Sequence, residues 1–335
     1  MCTARDTVGG TSAAHSAPFD LASLPLDTIS SPCLSSLFCS CSCFSDARLR
    51  PAVSACGLRG GSSWSAFDAH FRSLQSLHAG LRLKTLYLLR HAEGTHNEAE
   101  TRVGTDAWEA TEALKDEYTD PDLTERGRAQ CAAFAEGLPA ALASGLSPRL
   151  IICSPMQRAL RTAALCLSAL PEPLPWVAVE TARETLGRHT CDRRREVNEE
   201  VERAHPRVQF HLLREHHDAL WTPERETDEE QLLRAQRLLD FIFAAPEEHV
   251  LIVAHSGILT SLAKLFAQPL REHDLSPDPK GEGTSATSSP TPAPAPISHS
   301  HAALLDAVDA PTIASRHCEL QPFIVARLPL AGQQA

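Results

Sequence analysis

Residues 86–91 read Leu-Tyr-Leu-Leu-Arg-His, an apolar run that ends on a guanidinium and an imidazole. Similar arrangements follow two further apolar runs. Leu150-Ile151-Ile152-Cys153 leads into Ser154-Pro155-Met156-Gln157-Arg158, and Val250-Leu251-Ile252-Val253-Ala254 leads into His255-Ser256-Gly257. A guanidinium fork matches the oxygens of a phosphate. An imidazole titrates near neutrality and serves as nucleophile or proton carrier. Taken singly, each residue is an ordinary polar loop position. Brought together, Arg90, His91, Arg158 and His255 would repel one another unless an anion sat among them. A phosphoryl group meets that demand.

For these residues to meet, the runs that carry them must lie side by side. Apolar composition predicts strands at Thr85–Leu89, Leu150–Cys153, Trp176–Val179, Val250–Ala254 and near Phe323–Leu328. Helical signals alternate with them. Thr124 is placed to cap a helix starting at Glu125, and Ser154-Pro155 reads as a cap followed by the proline favoured at the first helical position. The second of these helices then sets Ala159, Leu160, Ala163, Ala164 and Leu167 on one face. Thr227 with Glu230 forms a capping box ahead of Leu232, Ala235, Leu238, Leu239 and Ile242 at helical spacing. Continuous apolar strands separated by helices imply an α/β fold, a mostly parallel sheet covered on both faces. Open sheets of this kind bind ligands at the carboxyl ends of their strands, where helix amino ends also point.

Composition narrows the partners. The chain has 335 residues, of which 43% are apolar and 22% charged, ordinary values for a globular protein. A net charge of −11 without a basic stripe speaks against nucleic acid, and no apolar stretch approaches membrane-spanning length. Six of the 11 cysteines lie within the first 56 residues, and the others are scattered singly without zinc-site spacing, so reduced thiols are expected. Residues 1–80 are rich in Ser, Ala, Gly and Cys and are expected to form a disordered or targeting extension. A secretory signal is not expected, because no basic segment leads directly into an apolar one. An organelle transit peptide is the alternative to a cytoplasmic location, and Asp6, Asp20, Asp27 and Asp46 weigh against it. The globular domain is expected over 81–330. A Pro-, Ser- and Thr-rich tract at about 274–302, with His299 and His301 read as solvated loop, interrupts it as a disordered insertion.

The motifs that surround the three strand ends resemble those of the histidine phosphatase superfamily, also called phosphoglycerate mutase-like. Arg90-His91-Ala92-Glu93-Gly94-Thr95-His96-Asn97 is similar to the signature RHGxxxxN, with Ala92 in place of the glycine. LTERG at Leu123–Gly127, SPMQRALRTA at Ser154–Ala163 and AHSG at Ala254–Gly257 follow in the family's order. The runs RETLGRHTCDRRRE at Arg183–Glu196 and LWTPERETDEE at Leu220–Glu230 resemble phosphoglycerate mutase-like proteins of plants and fungi. The resemblance covers roughly residues 84–268, with a closing segment from Cys318.

It implies a three-layer α/β/α sandwich with a lid or insertion region over the carboxyl strand ends. It also implies roles: His91 as nucleophile, Arg90 and Arg158 clamping phosphoryl oxygens, His255 donating to the same oxygens, and Asn97 adding a contact. Glu184 matches the family's acid, which protonates the leaving alkoxide. An attacking imidazole must be unprotonated at one nitrogen, with its other N–H held by an acceptor such as a backbone carbonyl. No metal and no cofactor are implied, and the partner is a small phosphorylated substrate. The first expectation is therefore a metal-independent phosphomonoester phosphatase working through phosphohistidine. A phosphoglycerate mutase is the alternative, and a non-catalytic phospholigand-binding protein is disfavoured because nucleophile, clamp and acid candidates are all present. The run Arg193-Arg194-Arg195 suggests a lid that touches a second anionic group of the substrate. Oligomeric state has no signal in the sequence.

Overall fold

The computed structural model describes residues 38–41, 63–77, 80–266 and 316–327. One sheet organises them. Its strands are β1 (Phe38–Cys41), β2 (Arg82–Arg90), β3 (Leu150–Cys153), β4 (Trp176–Ala178), β5 (Val208–Gln209), β6 (His249–Ala254) and β7 (Leu320–Arg327), in spatial order β1-β7-β2-β6-β3-β4-β5. From β2 through β5 every pairing is parallel, while β7 runs antiparallel to both β1 and β2. The decisive feature is the place of β6. It is inserted between β2 and β3, so the three strands that end in Arg90-His91, Ser154 and His255 are immediate neighbours.

The sheet is buried on both faces, which explains why its central strands are apolar without alternation. Period-two geometry nonetheless sorts their side chains. Tyr87, Leu89, Ile151, Leu251 and Val253 pack with Phe134 and Leu138 of α4 (Glu125–Ala143), Leu160 of α5 (Gln157–Cys166) and Phe67 and Phe71 of α1 (Trp64–Leu77). Leu86, Leu88, Ile152, Val250 and Ile252 face the opposite way, onto Leu238 and Ile242 of α7 (Asp228–Ala244) and Ile258 and Leu262 of α8 (Ser256–Phe266). Each fully buried Leu or Ile contributes about 1.5–3 kcal/mol, so these two layers fix the register that delivers the strand tips. The expected α/β/α sandwich is what the chain adopts.

Beyond the tip of β2 lie α2 (Thr95–Val103) and α3 (Thr105–Ala110). Trp108, Tyr118 and Ala113 form a separate small core with Cys191, which ties this region to the loop that follows β4. The short α6 (Glu199–Ala204) follows in the same connection, ahead of β5.

Three expectations need correction. The extension read over 1–80 is not all unstructured: Trp64–Leu77 forms α1, and Trp64, Phe67 and Phe71 are core residues. Its aromatic spacing of three and four residues is a helical stripe hidden in a Ser/Ala-rich context. Ser154 does not cap α5, whose first helical residue is Gln157. The hydroxyl turns to His255 instead, at 2.7 Å, and Asp120 accepts the N–H of Gln157 at 2.8 Å in its place. Ala164, expected on the inner face of α5, is exposed. The tract at about 274–302, with His299 and His301, lies outside the described residues.

Candidate active site

The tip is an extension of strand pairing. Arg90 stands opposite Ala254 in the parallel β2–β6 register, and the His91 amide donates to the Ala254 carbonyl at 2.9 Å. Arg90-His91 and His255 are thereby held against each other by backbone alone. The His91 and His255 rings lie 4.9 Å apart between centroids. Ala92 is fully buried and is not among the described residues with positive φ, which is why alanine is tolerated there. Its amide donates to Thr162 Oγ1 at 2.9 Å, and that hydroxyl donates to the Arg158 carbonyl at 2.6 Å, so the tip of β2 is bolted to α5.

The tautomer of His91 follows from its partner. Nδ1 lies 2.7 Å from the Ala92 carbonyl, which can only accept, so Nδ1 carries the proton and Nε2 keeps its lone pair. Burial, then the neighbouring His255, Arg158, Arg90 and His317, push the His91 pKa well below the ordinary histidine value. A neutral imidazole with one bare nitrogen is a nucleophile.

Arg158 is fully buried, and its Nε donates to His255 Nδ1 at 3.2 Å. That bond makes Nδ1 of His255 an acceptor and directs its Nε2–H at Ser154 Oγ. The outer nitrogens of Arg158 donate to the Cys191 carbonyl at 2.6 Å and to Asp192 Oδ1 at 2.9 Å. Three of the five guanidinium N–H groups are thus engaged inside the protein. Burial lowers the Arg90 pKa, Glu184 raises it and Arg158 lowers it.

Glu184 comes to the same place from the loop after β4. Its Oε2 accepts from Ser256 Oγ and from the Gly257 amide, both at 3.2 Å, and its Oε1 accepts from the Thr185 amide at 2.9 Å. The carboxylate therefore sits at the amino end of α8, against residues one and two past His255. Gly257 makes the approach feasible: a Cβ there would fall 2.1 Å from Glu184 Oε1. Asn97 is the third residue of α2, and its Oδ1 accepts the Gly94 amide at 3.0 Å. It serves the helix start with its oxygen and retains its amide N–H groups as donors.

Two imidazoles at the tip were not foreseen. His96, in the first turn of α2, is buried, lies 5.8 Å from the His91 ring, and has its Nδ1 without a hydrogen-bond partner. It sits inside the quoted motif, and a helix beginning at Thr95 would have flagged it. His317 lies 5.4 Å from the His91 ring, and its Nδ1 contacts the His91 carbonyl at 2.8 Å. No local signal could have found it, because it sits 226 residues further along the chain. Two of the three arginines in the run read as a substrate contact are engaged within the protein. Arg194 is buried and donates to the carbonyls of Arg195, Glu215, His216 and His217, while Arg193 lies over the Trp221 ring.

The profile of the histidine phosphatase superfamily (branch 1) matches residues 86–277. The chain belongs to this superfamily. Among curated relatives, a protein of Arthroderma benhamiae named "Probable phosphoglycerate mutase" is 34% identical over 212 residues, covering 59% of this chain and 63% of that protein. The chain thus spans less than two thirds of that fungal relative. A phosphoglycerate mutase-like protein of Arabidopsis thaliana is 31% identical over 215 residues, 56% of this chain and 76% of the relative. Among solved structures, the alpha-ribazole phosphatase of Shigella flexneri is similar at 22% identity and a TM-score of 0.36, covering 55% of this chain and 81% of that one.

Proposed function

We propose that this superfamily member is a phosphoryl-transfer enzyme that hydrolyses small phosphomonoesters through a phosphohistidine on His91. The observation that carries the reading is the His91 ring, with Nδ1 fixed on the Ala92 carbonyl and Nε2 bare, among cationic and imidazole groups. In the first displacement Nε2 attacks phosphorus and the P–O bond to the substrate breaks. Charge on the phosphoryl oxygens is met by Arg90, by His255 and by the N–H groups of Arg158 that remain available. Donation from His255 requires its ring to turn so that Nε2–H leaves Ser154 Oγ for a phosphoryl oxygen. The leaving alkoxide takes a proton from Glu184, which then accepts one from water as that water attacks the phosphohistidine. His96 lies beside the His91 ring, and its N–H suits a further phosphoryl or substrate oxygen, as does the amide of Asn97 one residue on. No metal is needed for this sequence, since cationic side chains stabilise the transferring group.

Mutase action is the second reading, favoured by the names of the relatives above. It requires the phosphoryl group to return to the product before water arrives. Arg90 and Glu184 are only half-buried, so water reaches the acid, and hydrolysis is the better fit. The test is phosphate release from an aryl phosphate by the full chain in excess EDTA, alongside phosphoglycerate isomerisation. Turnover in EDTA that His91→Ala abolishes is expected. Isomerisation faster than release would establish the mutase instead.

A further inference from the structure

Behind the tip, three thiols from three separate elements meet in the core. Cys131 comes from α4, Cys166 from the end of α5, and Cys318 from the entry to β7. The Cys318 sulfur lies 3.8 Å from that of Cys131 and 3.8 Å from that of Cys166, and all three sulfurs fall within 4.8 Å of one another. None is more than 2% exposed. Cys318 holds its position with φ of +54°, a left-handed backbone that residues bearing a Cβ rarely adopt. No histidine or carboxylate joins the group among the described residues.

We infer that Cys131, Cys166 and Cys318 form a three-coordinate thiolate site for a soft closed-shell cation of the Cu(I) class. Spacing is the first reason. Sulfurs bound at about 2.3 Å around one metal lie roughly 3.8–4.0 Å apart, the separation Cys318 already keeps from each of the other two, whereas a disulfide brings them to about 2.05 Å. Ligand number is the second. A buried pocket with three sulfurs and no histidine or carboxylate beside them among the described residues suits a thiophilic ion of low coordination number better than tetrahedral zinc. Binding displaces the protons of the three thiols and leaves an anionic cluster, with no change of oxidation state on either side. That cluster adjoins the cationic tip: the Cys318 amide donates to the Arg90 carbonyl at 3.1 Å, and the adjacent His317 ring contacts the His91 carbonyl. Occupancy would brace the backbone that carries the tip. This inference is independent of the phosphoryl-transfer reading, because it concerns sulfurs on which that chemistry does not draw.

The experiment uses the full chain with Cys2, Cys33, Cys39, Cys41, Cys43 and Cys56 replaced by serine, so that the amino-terminal thiols do not compete. Cu(I) is titrated anaerobically against a colorimetric Cu(I) chelator, and the loaded protein is examined by X-ray absorption. One ion per chain with three sulfur neighbours is expected. Cys318→Ser and, separately, Cys166→Ser should weaken binding by more than the roughly 10–100-fold that loss of an outer-shell partner costs. Cu(I) should also raise the melting temperature of the parent and not of Cys318→Ser. Because the absorption measurement is made on the parent, a variant that folds poorly does not remove the test. Binding that ignores both substitutions, a two-sulfur ion, Zn(II) held more tightly than Cu(I), or air oxidation to a Cys131–Cys318 or Cys166–Cys318 disulfide would each overturn the inference.

Discussion

Two regions of this molecule are crowded with basic side chains, and they resolve the crowding in opposite ways. In the loop region after β4, buried and half-buried arginines are matched to carboxylates. Arg183 meets Asp218, Arg194 meets Glu180, Arg225 meets Asp192, and Arg234 meets Glu226. At the strand tips the basic groups are mostly imidazoles, and burial with neighbouring cations drives His91, His96 and His255 toward their neutral forms. A matched arginine is scaffold: its charge is spent on its partner. A cluster of imidazoles held neutral beside arginines is a place that gains by receiving an anion. Arg158 joins the two regions, since it bonds both His255 and Asp192.

If that contrast is sound, substitutions in the two regions should fail differently. The largest effect on rate belongs to the tip. His91→Ala should cost at least about a thousandfold in kcat while leaving the melting temperature nearly unchanged. The largest effect on stability belongs to the loop. Asp218→Ala takes contacts of 2.8 and 2.6 Å from the fully buried Arg183 and leaves it Glu180 at 3.1 Å, and should cost about 2–3 kcal/mol in a urea melt. A tip variant that unfolds the chain, or a loop variant that spares stability, would break the comparison.

Gly257→Ala probes the seam. The added methyl collides with the Glu184 carboxylate, the far end of a flexible side chain, so the acid should shift and the fold should hold. A loss of roughly 10–100-fold in kcat is expected for alkyl phosphates, with much less for aryl phosphates whose leaving groups need no proton.

Acid dependence is the next test. A histidine whose folded pKa lies below its unfolded value of about 6.5 favours the folded state in full above that pH and loses this contribution as pH falls. His91, His96 and His255 all have that sign, so urea-melt stability should decline from pH 7 to 5. His96→Gln should flatten the decline. The smallest effect expected is that of Arg193→Ala on the exposed stacking contact with Trp221, under about 1 kcal/mol and without consequence for rate.

The sequence made the frame of the site legible, because strand runs and caps are local signals. Leu150–Cys153, the Thr124 cap and the Thr227–Glu230 capping box all stand where their residues imply. What it could not supply was contact between distant segments. The insertion of β6 between β2 and β3 is a fact of topology, and only this pairing makes neighbours of Arg90, Arg158 and His255. His317 and Cys318 reach the tip through an antiparallel strand far along the chain, a pairing that leaves no mark on either sequence. Arg194 was misread for a related reason. A run of three arginines looks free to meet an anionic group of the substrate until the carbonyls that surround the middle one are seen.

The central claim is that Nε2 of His91 takes the phosphoryl group. Its most direct measurement is acid-free denaturing quench of the full chain mixed with radiolabelled phosphomonoester, followed by peptide mapping. The account predicts alkali-stable, acid-labile label on the peptide that contains His91. Turnover without any label, or label on a different residue, contradicts it.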